Sequence, residues 1–147
     1  MTINKFLILA AVLLCSASLS AQTKKTIVKP HAVSLTASMA NGELIYKKVC
    51  IACHMADAGG VPNMNPPLTH SEYVDGNKTK LISILIKGLN ESIEVDGSNY
   101  ANVMPAQEIL KDQEIADVLT YVRRSFGNKQ SAVTLAEVKK TRASIKK

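Results

Sequence analysis

Cys50, Cys53 and His54, in the run Cys50-Ile51-Ala52-Cys53-His54, are the residues whose types and spacing could do chemistry together. On a helical turn they stand at i, i+3 and i+4 and share one face. Two thiols on that face can add to the two vinyl groups of a haem, while the imidazole beside them reaches the iron from the same side. One covalently bound haem c is therefore the expected cofactor. Two other uses of paired cysteines compete. A zinc site wants four ligands, and outside the run His31 and His70 remain without forming a pair. A thioredoxin-like dithiol or a structural disulfide is the other, but a redox dithiol sits at a strand-to-helix junction, and nothing before Cys50 has the pattern of a strand.

Met104, followed by Pro105, is the second candidate. A residue before proline is pushed out of the helical region, so the Met104 side chain should project from a stiffened, extended loop, as a thioether ligand would. Fifty positions separate it from His54, enough chain to wrap a haem and reach its other face. Met39, Met55 and Met64 lack such a setting. Met55 follows His54 too closely to reach the opposite side, and Met64 has the adaptability of a loop filler. His70 is the rival ligand, though a satisfied surface histidine is its plainer use.

The elements that must position these groups can be placed by period and caps. Asn41 can cap a helix starting at Gly42, with Glu43 in its first turn and Lys47 and Lys48 near its end. That helix delivers Cys50. Gly42 and Tyr46 make a notch beside an aromatic ring, where a second helix carrying Tyr121 could cross closely. The stretch Ala56–Leu68 is too rich in Gly and Pro for a helix. Its Pro66-Pro67 pair would hold a carbonyl rigidly enough to accept the other ring hydrogen of a metal-bound His54. Asn77 opens an amphipathic helix with Leu81, Ile82, Leu85, Ile86 and Leu89 in period, stopped by Gly88. Ile93–Tyr100 alternates around Asp96-Gly97 and reads as a hairpin. Asp112 and Glu114 begin the strongest amphipathic helix, with Ile115, Val118, Leu119, Val122 and Phe126 on one face, Arg123 and Arg124 near its end, and Gly127 as terminator. Thr134 and Glu137 have capping-box spacing, so a short basic helix over 135–146, docked by Leu135 and Val138, should follow.

Composition bounds the rest. With 147 residues, 46 % of them hydrophobic, the chain has room for one modest domain plus appendages. Lys5, the apolar run Phe6–Leu14 and the small residues Ser16–Ala21 have the layout of a secretory signal peptide, cut after Ser20. Export to the periplasm would remove Cys15 and leave Cys50 and Cys53 as the cysteines of the mature chain. Lipidation at Cys15 is disfavoured, because Leu14 stands where a small residue is needed. Residues 21–38 read as a basic flexible linker, and His31 within it as a solvated side chain. The net charge of +6 belongs to the ends: residues 39–128 carry −3 and residues 129–147 carry +5. No basic stripe is interleaved with aromatics, so nucleic acid is not an expected partner, and no firm membrane anchor is expected.

Together, the attachment motif near the N-terminus of the domain, the Pro-rich loop, the methionine loop and the ending Tyr121-Val122-Arg123-Arg124-Ser125-Phe126-Gly127-Asn128 resemble class I monohaem c-type cytochromes. They are most similar to the cytochrome c domains associated with periplasmic dehydrogenases and copper nitrite reductases. The resemblance covers residues 40–143. It implies an all-α fold, helices wrapped around one haem, with a short β-hairpin before the methionine loop. It also implies thioethers at Cys50 and Cys53, His54 as proximal ligand and Met104 as distal ligand. Lys111 departs from the family, which more often places a capping Ser there. The expected organisation is a signal peptide over 1–20, the linker over 21–38, a monohaem domain over 39–143 and a basic tail over 144–147.

With both axial positions filled by protein, the expected function is electron transfer between redox proteins: a dehydrogenase, a reductase or a terminal oxidase. The chain would then be a carrier or a subunit and not an enzyme by itself. An open-site haem protein, a gas sensor or a peroxidase-like protein, is the alternative. Gas-binding four-helix cytochromes carry the motif near the chain's end, whereas more than 90 residues follow it here.

Overall fold

The computed structural model describes residues 33–145. The expected signal peptide with Cys15, the linker up to residue 32 with His31, and residues 146 and 147 lie outside the described residues.

The first helix, α1, runs Leu35–Ile45 and is capped by Ser34, whose Oγ accepts from Ala37 N–H at 3.2 Å. It starts seven positions before Gly42, where a helix capped by Asn41 was expected, so residues 35–38 form its first turn and do not belong to a linker. The reason is the kind of surface it buries. Ser38 and Gly42 are its two buried residues, so there is no apolar stripe for periodicity to detect. Asn41 lies inside the helix and donates from Nδ2 to Asp117 Oδ2 at 3.3 Å. The same buried carboxylate accepts from Ser38 Oγ at 2.6 Å and from Gln113 Nε2 at 2.8 Å. A buried charge without such donors would cost several kcal/mol, on the order of the penalty for one uncompensated ion; three neutral donors hold this one.

The chain continues from α1 through one wide π-turn, Tyr46–Cys50, into α2, Ile51–His54. The 13-residue helix α5, Asp112–Arg124, crosses α1 at the expected notch. A Cβ on Gly42 would stand 2.2 Å from Asp117 O and 2.7 Å from Tyr121 Cβ, so only glycine permits this approach. Beside it the rings of Tyr46, Tyr121 and Phe126 pack with centroids 5.2 to 5.7 Å apart, within the range favoured by aromatic pairs. Lys111 does precede the first turn of α5, and Glu114 Oε2 serves that end by accepting Lys111 N–H at 2.7 Å.

A single turn, α3 (Glu72–Asp75), leads to α4 (Lys78–Lys87), capped by Asn77 Oδ1 on Lys80 N–H at 3.0 Å. Leu81, Ile82, Leu85 and Ile86 are its buried face. Gly88 stops it at φ +74, and a Cβ there would meet Met104 O at 2.4 Å, because the methionine loop crosses this point. Strands β1 (Ile93–Val95) and β2 (Ser98–Tyr100) pair antiparallel around Asp96 and Gly97, both at positive φ as a tight hairpin turn demands. Helix α6 (Leu135–Ile145) has its box: Thr134 N–H donates to Glu137 Oε2 at 2.7 Å and Glu137 N–H to Thr134 Oγ1 at 3.2 Å. Val138 and Thr141 are buried beneath it, with Leu135 half-buried. The result is helices around one core with one small hairpin, the all-α architecture expected from the sequence.

Asn128 ties the Pro-rich loop to the end of α5. It is buried, donates from Nδ2 to Leu68 O and Val122 O at 2.8 Å each, and accepts His70 N–H at 2.9 Å. Asn128→Ala should lower stability by about 3 kcal/mol, since three backbone partners, one of them buried and the others at its edge, lose their bonds to a buried side chain. A urea transition with a lower midpoint and an unchanged slope is the expected measurement.

Candidate functional site

The π-turn and α2 bring Cys50, Cys53 and His54 to one wall of a cleft of about 1180 Å³, including its open mouth. Leu81, Ile84, Leu85 and Leu89 from α4 and its end, and Val118, Leu119 and Val122 from α5, form apolar walls. Hairpin residues Ile93, Val95 and Tyr100 line it too, as does the Pro66–Leu68 loop. Met104 enters the same cleft. Its backbone is fixed by a two-way pair with Leu89, N–H to O at 2.9 Å in both directions, so the side chain springs from an anchored, extended segment as the following proline favours.

Other candidates fall away by position. Among the described methionines Met104 alone lines the cleft, while Met64 and Met55 are exposed. His70 lies outside the cleft, an exposed residue whose backbone bonds Asn128. Among the described residues no three His, Cys, Asp or Glu side chains converge as a metal site of protein ligands alone requires, so these side chains do not form the zinc alternative.

His54 Nδ1 lies 3.0 Å from Pro66 O, the acceptor expected of the Pro-rich stretch. A carbonyl oxygen only accepts, so Nδ1 carries the ring hydrogen and Nε2 keeps its lone pair. Burial lowers the His54 pKa, partly offset by this bond, which keeps the ring neutral and able to ligate. Burial, then the neighbouring Cys53, pushes the Cys50 thiol up to about 11. Two free thiols, one neutral imidazole and one thioether around an apolar cleft fit a flat, hydrophobic iron macrocycle.

A model of the family described as Cytochrome c matches residues 39–125. The chain belongs to the cytochrome c family. Its cofactor is a covalently bound haem c, and its role is electron transfer. The chain is similar to "Cytochrome c-552" of Thermus thermophilus, 36 % identical over 118 residues that cover 74 % of this chain and 79 % of the relative. It is also similar to "Alcohol dehydrogenase (quinone), cytochrome c subunit" of Gluconacetobacter polyoxogenes, 39 % identical over 103 residues, covering 66 % of this chain and 21 % of that protein. A third likeness, "Fructose dehydrogenase cytochrome subunit" of Gluconobacter japonicus, is 30 % identical over 111 residues, 70 % of this chain and 22 % of the relative. Against both dehydrogenase subunits the chain spans about a fifth of their length.

One contributor to this cytochrome c site escaped the sequence reading, which gave Tyr46 a packing role alone. Its hydroxyl donates to Met55 O at 2.8 Å and lies 3.4 Å from His54 O, clamping the peptide that follows the histidine. Burial raises its pKa well above the ordinary range, so it remains a donor. The only available signal was a polar aromatic four positions before Cys50.

Proposed function

We propose that this cytochrome is a periplasmic one-electron carrier, or the electron-transferring subunit of an oxidoreductase, with Cys50 and Cys53 as thioether attachment points and His54 and Met104 as axial ligands. The observation that carries this reading is the entry of Met104 into the cleft that Cys50, Cys53 and His54 line. When bound, haem supplies a one-electron couple; the protein sets its potential and limits access to it. Pro66 O orients the histidine, Leu89 fixes the backbone of the methionine, and the walls from α4 and α5 exclude water. The dehydrogenase subunits among the relatives favour a dehydrogenase as one redox partner, and the secretory layout before residue 21 supports the periplasm.

The purified holo-protein should keep its haem after acid–acetone extraction and give a pyridine haemochrome spectrum of thioether-bound haem. Extraction of the haem into the organic phase would end the proposal. The intact mass of the exported protein should match a chain beginning at Ala21.

A further inference from the structure

The loop that holds the acceptor of His54 and the segment that leads to Met104 meet at the cleft's rim. Asn102 donates from its backbone N–H to Met64 O at 3.3 Å and from Nδ2 to Asn65 Oδ1 at 3.2 Å. Asn65 is the neighbour of Pro66, whose carbonyl holds His54, and its own backbone is fastened by a two-way pair with Val61 at 2.9 Å. Asn102 stands two residues before Met104. Between the hairpin's last residue, Tyr100, and the Leu89 pair at Met104, residues 101–103 are exposed throughout. Their only side-chain hydrogen bond among the described residues is Asn102 to Asn65. Both asparagines line the cleft.

The geometry points to Asn65 and Asn102 as positioning residues, a neutral clasp that fastens the segment before Met104 to the loop behind His54 and so keeps the methionine sulfur on the iron. The inference rests on the proposal that Met104 is an axial ligand. For an external ligand to take the sixth position, the sulfur must leave and its segment must swing outward. Residues 101–103 have little else to restrain them on the hairpin side. Apparent affinity for a competing ligand scales with the fraction of molecules in the open form, so loosening the clasp should be read directly as tighter competition. Both partners are uncharged amides, so the restraint should be nearly independent of salt.

The test is imidazole titration of the ferric holo-protein, followed in its visible spectrum. Asn102→Ala and Asn65→Ala should each raise apparent imidazole affinity about three- to tenfold, the scale of one partly exposed hydrogen bond. The double variant should go no further than either single, because the two changes delete the same contact. Asn65→Asp, which keeps an acceptor for Asn102 Nδ2, should remain near wild type. A role in stability alone would lower the unfolding midpoint and leave imidazole affinity unchanged. That result, or additive effects of the two alanines, overturns the clasp. Met104→Ala is run alongside and should bind imidazole at least as tightly as either clasp variant. If it binds no better than wild type, it is the ligand assignment itself that fails.

Discussion

Met104→Ala should leave the haem attached yet open its sixth position, so that the reduced protein takes up carbon monoxide rapidly at neutral pH while the parent does not. A thioether is a soft ligand that favours the ferrous state. Its loss to water should lower the reduction potential by roughly a few tenths of a volt, within the ~0.8 V that axial ligands span. The red-region absorption band of the iron–methionine bond should vanish. Met104→His should restore a low-spin haem, at a potential below that of the parent. Met64→Leu is the control: Met64 is 49 % exposed and outside the cleft, so its replacement should change neither band nor potential. Retention of the band in Met104→Ala together with its loss in Met64→Leu would transfer the ligand role to the other sulfur.

The second large effect is expected at the helix crossing. Gly42→Val would place its branched side chain where Cβ alone already stands 2.2 Å from a backbone oxygen of α5. The neighbour is backbone and cannot turn aside, so the helices must part. Overpacking of this kind costs about 3 kcal/mol, which should move the urea midpoint of the holo-protein down by about 1–3 M. The parting also pulls on Tyr46, whose hydroxyl clamps the Met55 peptide, so less of the protein should acquire haem during expression. An unchanged midpoint would mean that α1 and α5 do not meet as closely as the structure has them.

Much of the fold was legible because it is written in local signals. Asn77 and Gly88 bracket α4, Asp96-Gly97 makes the hairpin turn, and Thr134 with Glu137 caps α6; each is a few residues with one conformational consequence. The residues singled out for the site were legible for the same reason, through short spacings and a proline, and the structure brings Cys50, Cys53, His54 and Met104 to one cleft. What escaped depends on partners distant in sequence. Leu35–Asn41 carries no apolar stripe, and the burial of Ser38 within it is explained by Asp117, 79 positions further on. Arg123 was expected as a charge suited to the end of a helix. It is instead buried, donating to Val74 O, to Gly76 O at 3.3 Å and to Ser131 O at 2.9 Å, so it fastens the end of α3 to the chain that follows α5. The clasp of Asn65 and Asn102 joins two loops 37 positions apart, and an asparagine in either loop has many local uses.

The π-turn at Tyr46–Cys50 carries a lesson for anyone grafting this motif onto another scaffold. An α-helix advances about 100° per residue, so a wide turn that accommodates one extra residue sets everything after it out of phase with everything before. Gly42 and Tyr46 face α5 while Cys50, Cys53 and His54 face the cleft, and the offset between these two faces is built into the five residues that join them. A designer who copied the cysteines onto an ideal helix at the same count from the crossing would turn them about a quarter of a revolution away from the cavity. Deleting one residue from Lys47–Val49 should have the opposite outcome in the natural chain: the turn closes to regular α-helix and the anchors stay on the cleft side, because the residue lost is the one the wide turn absorbs.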